Sequence, residues 1–495
     1  MRKNKSTIVL FLALCLSSCS KMIQIPDPAS SITITKVFDT DATASSAMAG
    51  VYTQLINGTY GIANSNYATN VFSDGLTTIL AGLSADELQT TTANNALFQL
   101  SANNLTAKLA DQSYIPTLWA SAYSIGIYGA NAVLEGIAAS TSPDLTDSTR
   151  RQLTGEAKCI RAFCHFYLTN FYGDIPLVLT TDFNKTANLA RAKQVDVYAQ
   201  IIKDLKDAQA ALPDNYISVG GRVRPNKWAA TALLARVYLY TGDYSDASAQ
   251  AGSVIDHVDL YHLEPDLNNV FLTTSSEAIW QLQQNTSIPN LGNATPEGSF
   301  WLPNPLHTGR PPIASLTSQL LNAFEPGDRR RTNWIDSTDY MADPGIPAAT
   351  YYFPYKYKTG TYNYSVGGAA SEYYMVLRLA ELYLIRAEAA ANGGPGGANA
   401  AIADLNSLRH RAGLNSLPAN LSASDLTTAI AKEWQTEFFC EWGHRWFNLK
   451  RTRQTSAVFS SIAVKQPWKG DYQLLYPLPT QEILNDHYLT QNTGY

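Results

Sequence analysis

Trp228-Ala229-Ala230-Thr231-Ala232-Leu233-Leu234-Ala235-Arg236-Val237-Tyr238-Leu239-Tyr240, followed by Thr241-Gly242-Asp243-Tyr244 and then Ser245 to Asp256, reads as two helices joined by a tight turn. Long apolar side chains recur at helical spacing in the first limb, and its alanines leave room for a neighbouring helix to come close. Gly242-Asp243-Tyr244 supplies the turn between the two limbs. Two other segments repeat the plan. From Glu156 to Phe171 the residues Ile160, Phe163, Cys164, Tyr167, Leu168 and Phe171 form one apolar stripe, with Val195 to Leu212 as the partner limb. From Val376 to Ala391 a third limb leads through Gly393-Gly394-Pro395-Gly396-Gly397 to Asn399–Arg411. These periodicities predict a mainly all-α chain with helix hairpins at 150–212, 228–256 and 376–411.

The first hairpin is similar in kind to a tetratricopeptide unit, with a leading Trp228, a Leu234-Ala235-x-x-Tyr238 run and a Gly-Asp-Tyr turn. Spacing between the hairpins is irregular, so they read as embedded pairs rather than a regular solenoid. Asp41–Leu55 and Ile115–Ala138 also have helical patterns. Between them, residues 58–112 form a polar stretch rich in Asn, Thr and Ala.

A different texture separates the second and third hairpins. Residues 285–312 carry six prolines, and residues 340–364 hold seven tyrosines. Tyr351, Phe353, Tyr355 and Tyr357 alternate with mixed neighbours, which is the period of a strand and accounts for the minor β expected here. Long irregular segments in a helical body are usually functional, and the density of aromatics argues against disorder. One loop gathers Phe300, Trp301, Asn304, His307 and Arg310, and an earlier stretch gathers Tyr60, Asn66 and Tyr67. Aromatic faces beside amide, imidazole and guanidinium groups suit a pyranose, whose C–H face stacks on a ring while its hydroxyls take the polar partners. The competing reading is that Trp301 pins its loop beneath the prolines.

The amino terminus carries an address. Arg2, Lys3 and Lys5 precede the apolar run Ile8–Leu16, and Leu16-Ser17-Ser18-Cys19 closes it. That order is a secretory signal, and a Cys directly after small residues resembles the bacterial lipobox, in which the Cys is lipidated and becomes the first mature residue. The expected organisation is therefore a signal peptide at 1–18, a lipidated tether at 19–37 and a body at 38–495. The body divides into an N-terminal helical part, 38–140, and helix pairs at 150–495 with inserted loops at 285–364. The whole chain has a formal charge of −5, and loss of the three basic residues before Cys19 leaves −8. A body of that sign has no bulk attraction for nucleic acid. Cys159, Cys164 and Cys440 remain; the first two lie about 140° apart around a helix, poorly placed to bridge, and all three read as small buried hydrophobes.

Catalytic constellations are missing from the sequence. It holds no Gly-x-Ser-x-Gly elbow, no phosphate-binding glycine loop and no zinc helix, and its seven His are scattered. No catalytic residue, cofactor or metal is expected. Glu433, Glu437 and Glu441 share a helical spacing that reads as a solvated or Arg-paired face rather than a hydrolytic pair. Arg161, Arg378, Glu381, Glu388 and Arg445 lie among apolar stripes and are expected to satisfy one another between helices. Trp434, Phe438 and Trp442 read as core.

Three blocks and a tail carry a family resemblance. They are Gly155 to Phe163 running on to Asn170-Phe171-Tyr172-Gly173-Asp174-Ile175-Pro176-Leu177; Arg378 to Leu384 with Arg386-Ala387-Glu388-Ala389; Glu441-Trp442-Gly443-His444-Arg445-Trp446-Phe447-Asn448-Leu449-Lys450-Arg451; and Leu475-Tyr476-Pro477-Leu478-Pro479 through Gln491-Asn492-Thr493-Gly494-Tyr495. In order and spacing they resemble the SusD/RagB nutrient-binding lipoproteins of Bacteroidetes. Asn448 stands where Asp is usual in that family and Thr493 where Pro is common; Ser20-Lys21-Met22 lacks the acidic residues often found after the lipidated Cys. The resemblance implies four tetratricopeptide-like helix pairs on one side and a loop-rich ligand side on the other. It also implies a lipid anchor at Cys19 in the outer membrane, facing the cell surface. The implied activity is capture of an oligosaccharide or other nutrient for a SusC-like TonB-dependent barrel. A ligand-free accessory or lid subunit of the transporter is the alternative, with a surface glycoside hydrolase third.

Overall fold

The computed structural model describes residues 34–58, 71–91, 94–218, 221–303, 312–340 and 349–495. Its elements are introduced in chain order. Helix α1 is Asp41–Asn57, α2 is Thr77–Ser84, and β1 is Leu88–Thr90. Helices α3 (Tyr128–Ala139), α4 (Asp147–Tyr172) and α5 (Gln194–Ala211) follow. The central hairpin is α6 (Lys227–Thr241) and α7 (Tyr244–Ile255), and then comes β2 (Ala278–Leu282). The loop-rich part holds α8 (Pro296–Trp301), β3 (Ala314–Leu316), β4 (Ile335–Tyr340) and β5 (Ala349–Pro354). The chain closes with β6 (Tyr374–Arg378), α9 (Leu379–Ala391), α10 (Gly397–Arg411), α11 (Ala423–Glu437) and α12 (His444–Arg451).

The expected hairpins form. Asn226 caps α6 by accepting a hydrogen bond from the Ala229 amide at 3.0 Å, and Gly242 ends the helix at φ 78°. Asp243 then caps α7 through the Asp246 amide at 3.2 Å. From Trp228 to Leu239 every residue of α6 is buried, because helices pack around its whole circumference. The packing sequence runs α4, α5, α6, α7, α9, α10 and α11. It continues at the other end through α3 and α1, which lie against α4. One hydrophobic core extends from Phe38 to Leu489. Among the described residues no helix is long and apolar enough to cross a membrane.

Arginine–carboxylate pairs staple the row, as the polar residues in the apolar stripes predict. Arg161 grips Asp204 between α4 and α5 at 2.9 and 2.7 Å, and Arg386 grips Asp404 between α9 and α10 at the same two distances. Arg236 on α6 takes Glu381 on α9, Arg451 takes Glu388, and Arg445 takes Asp86. Cys159, Cys164 and Cys440 are free and buried. Burial pushes the Cys159 thiol up to about 12.

Three expectations need correction. Residues 71–88 are not a polar connector: every one is buried, because Val71, Phe72, Leu76, Ile79, Leu80 and Leu83 face the core while the small polar residues bond locally. The Ser73 hydroxyl, for instance, donates to the Leu55 carbonyl at 2.6 Å. The third hairpin begins at Leu379, since Tyr374–Arg378 is a strand paired antiparallel with Ala278–Leu282. Finally, α11 stops at Glu437, and Cys440 and Trp442 take positive φ of 49° and 48°, so Glu441 reaches the core from a turn instead of a helical face. Trp434, Phe438 and Trp442 are core residues, as expected.

Candidate functional site

The irregular segments are tied to one another and to the end of α1 by side-chain hydrogen bonds and strand pairing. The Asn285 amide donates to the Asn57 side chain at 3.0 Å, joining the end of α1 to the proline-rich segment. Strands β1 and β3 pair antiparallel, β3 packs on β5, and β4 and β5 form a hairpin. Asn293 then laces residues 285–303 to residues 357–373. Its side chain donates to the Ala369 carbonyl at 2.9 Å and accepts from the Ser365 amide at 2.6 Å. Gly298 lies so close to this second segment that a Cβ there would sit 2.2 Å from the Thr359 carbonyl oxygen. Only glycine fits.

Phe300 and Trp301 lie on α8, which starts at Thr295 where the hydroxyl accepts from the Gly298 amide at 3.0 Å. This short helix turns Glu297, Gly298 and Trp301 inward. Trp301 is 2 % exposed and meets Phe300 edge to face at 4.7 Å between centroids. With Lys356, Tyr357 and Cys440 it lines a small internal gap. The indole is therefore an anchor of the loop in this structure, and Phe300 is the half-exposed ring of the two. The expected stacking role of Trp301 is corrected accordingly: Trp301 stands one turn after Glu297 and shares its inward face. Asn304, His307 and Arg310, the stretch with Tyr60, Asn66 and Tyr67, and Cys19 all lie outside the described residues.

Tyrosines supply the open aromatic surface. Tyr362 is 43 % exposed, and Tyr351, Tyr352, Tyr355 and Tyr364 are half-buried. The Lys358 ammonium stands 4.8 Å over the Tyr355 ring and bonds to Asn268 and to the Asn333 carbonyl, the latter at 3.4 Å. Arg331 stands 5.0 Å over Tyr352. Tyr362, Lys358, Asn268 and Asn333 were not singled out from the sequence. The seven tyrosines of 340–364 are the available signal, through their strand period and their density.

Beneath the loops lies a buried ionic frame. Arg378 takes Glu441 at 2.9 and 2.8 Å and Glu277 at 2.8 Å, and it also meets Glu437. Arg411 bridges Glu277 and Glu437. Arg330 holds Asp328 at 2.8 Å together with Glu433 and Glu437. Lys356 bonds to the Glu437 and Phe439 carbonyls at 3.0 and 2.8 Å and to Glu441. Burial opposes the charge on Glu437, but Arg411, Arg378 and Arg330 overcome it and hold its carboxyl well below the usual range. Glu433, Glu437 and Glu441 are thus buried and Arg-paired, not solvated, and Glu441 joins the group from the turn after α11 instead of from a shared helical face. Two carboxyls next to this frame behave differently: burial lifts Glu297 to about 7, and burial with the neighbouring Asp86 charge lifts Glu87 to about 8.

A helical row that carries a laced loop side is the architecture of a binding scaffold. Comparison with known proteins agrees. The family described as "Starch-binding associating with outer membrane" matches residues 41–239, and the SusD family matches residues 322–495. SusD-like protein P2 of Formosa agariphila is 26% identical over 542 aligned residues, covering 100% of both chains. A SusD superfamily protein from Bacteroides vulgatus superposes with a TM-score of 0.76 at 20% identity, over 92% of this chain and 100% of that one. A laminarin-binding SusD-like protein superposes with a TM-score of 0.72 at 25% identity, over 92% of this chain and 100% of that one. The chain belongs to the SusD/RagB family.

Proposed function

We propose that this protein is a lipid-anchored glycan-binding protein of the outer membrane, exposed at the cell surface, which captures an oligosaccharide and hands it to a SusC-like TonB-dependent barrel. The observation that carries the reading is the loop side itself: half-exposed aromatic rings interleaved with Lys358, Asn268 and Asn333, held on a rigid frame by Asn57, Asn293 and the paired strands. Such a surface can stack a sugar ring and bond its hydroxyls without a reactive group. Starch binding and outer-membrane association in the matched family's description, and laminarin binding in a structural relative, support the ligand class. The anchor is Cys19, ahead of the tether at 19–37. The helical side meets the barrel.

A glycan screen with recovery of the intact ligand tests the reading: reversible binding without turnover supports it, and absence of binding contradicts it. One observation favours a second reading. Trp301 is buried, so the ring with the largest stacking area is spent on packing. An accessory or lid subunit without its own ligand has no need of an open ring, and it would co-purify with the barrel yet fail the same screen.

A further inference from the structure

A cleft of about 460 Å³ opens between the first turns of α4, the end of α5 and the segment that precedes α6, and none of its lining residues belongs to residues 285–303 or 357–373. That volume falls within the range of small-molecule sites, roughly 300–1,000 Å³. Its floor is aliphatic, made by Leu153, Leu212, Pro213 and Ile217, and Ile217 is left 46 % exposed at the opening. Its walls are rich in donors: Arg151, Arg224, Ser45 and Ser148 all line it.

The charges in the cleft are unequal. Behind the wall sits Glu156, fully buried, whose carboxylate accepts from Tyr52 at 2.7 Å, Gln152 at 2.6 Å and Arg224 at 3.0 Å. Arg224 is therefore paired with a buried carboxylate, Nη2 to Oε1 at 2.7 Å. Gln152 spends its amide N–H on Glu156 and keeps its carbonyl for another donor. Arg151 is exposed, and among the described residues no carboxylate lies within ion-pair distance of it. An entering molecule thus meets one uncompensated guanidinium, two serine hydroxyls, one amide carbonyl and an aliphatic floor.

We propose that this cleft is a second binding site and that it takes a hydroxylated carboxylate of the sugar-acid class. The carboxylate pairs with Arg151, ring hydroxyls bond to Ser45, Ser148 and the Gln152 carbonyl, and the C–H face lies on Leu212 and Ile217. A charge-assisted bond of this kind discriminates strongly between the acid and its neutral counterpart. The site does not depend on the loop-side reading, since no residue is shared.

Calorimetric titration of the full-length protein with glucuronate, glucose and inorganic phosphate tests it, alongside Arg151→Gln and Leu212→Gln. Glucuronate is expected to bind at least about tenfold more tightly than glucose, and Arg151→Gln should lose about tenfold in glucuronate affinity without moving the melting temperature. Leu212→Gln should also weaken glucuronate. Raising the salt should erode binding, because Arg151 is solvent-facing. Equal affinity for glucuronate and glucose, or an Arg151→Gln variant that binds glucuronate as the wild type does, overturns the proposal. Phosphate binding as tightly as glucuronate also overturns it, since the aliphatic floor then plays no part. Neutral-oligosaccharide binding at the loop side, measured in the same variants, should be unchanged; its absence would count against the loop-side reading alone.

Discussion

Arg378 and Glu441 meet in a two-pronged ion pair, Nε to Oε2 at 2.9 Å and Nη2 to Oε1 at 2.8 Å, with the guanidinium 1 % exposed. The pair joins the strand that opens the last hairpin to the turn after α11, directly under the loop side. Burial works against the charge on Arg378, and Glu441, Glu437 and Glu277 outweigh it, holding the guanidinium well above its ordinary value. Replacing such a network with apolar groups of equal shape can be neutral, but removing one partner leaves buried charge uncompensated. Arg378→Leu should therefore lower unfolding free energy by about 3–5 kcal/mol in a urea titration. A loss below about 1 kcal/mol would show that the frame is not holding the carboxylates in place.

Glu297 gives stability a pH dependence with a definite sign. Its folded-state value of about 7 lies above the ordinary 4.5, so the native state holds the proton more tightly than the unfolded chain. That contribution is complete below the unfolded value and is lost as pH rises through about 7. Glu297→Gln, which cannot ionise, should gain on the wild type by about 2–3 kcal/mol between pH 5 and pH 8. Denaturant titrations at the two pH values measure the gap, and a constant gap would refute the assignment.

Trp301 and Tyr362 should separate packing from binding. Trp301→Ala removes a buried indole and should cost about 3–5 kcal/mol of stability. Tyr362→Ala should leave the melting temperature nearly unchanged and weaken glycan binding by about 0.5–1.5 kcal/mol, the worth of one good ring contact. The opposite pattern, stable Trp301→Ala and unstable Tyr362→Ala, would reverse the two assignments.

Membrane attachment should depend on one sulfur. Cys19→Ala should release the protein from the membrane fraction or leave its precursor uncleaved, because several acyl chains anchor stably where one does not. Unchanged fractionation and gel mobility would contradict lipidation.

Much of the helical row is legible in the residues. Gly242 and Asp243 mark the turn between α6 and α7, and such a signal needs no knowledge of the rest of the chain. Arg161 and Glu381 are legible too, since a charge within an apolar stripe requires a partner. Residues 71–88 are harder, because Ser73 and Thr77 look solvent-facing until their hydroxyls are seen bonded to the Leu55 and Phe72 carbonyls. Tyr374–Arg378 is ambiguous for another reason: a short apolar run fits a strand or a helix, and only the distant Ala278–Leu282 decides between them. The loop side is the least legible. Whether Trp301 or Tyr362 faces solvent depends on how residues 285–303 and 357–373 lie together, and no local pattern encodes that.

In the proposed function the loop side binds a glycan. Calorimetric titration of the protein with starch- and laminarin-derived oligosaccharides, repeated with the Phe300→Ala, Tyr362→Ala double variant, tests it most directly. The expected result is saturable binding of at least one oligosaccharide, recovery of that ligand uncleaved, and affinity at least about tenfold weaker in a double variant that melts as the wild type does. No binding to any of them, or equal affinity in the double variant, would contradict it.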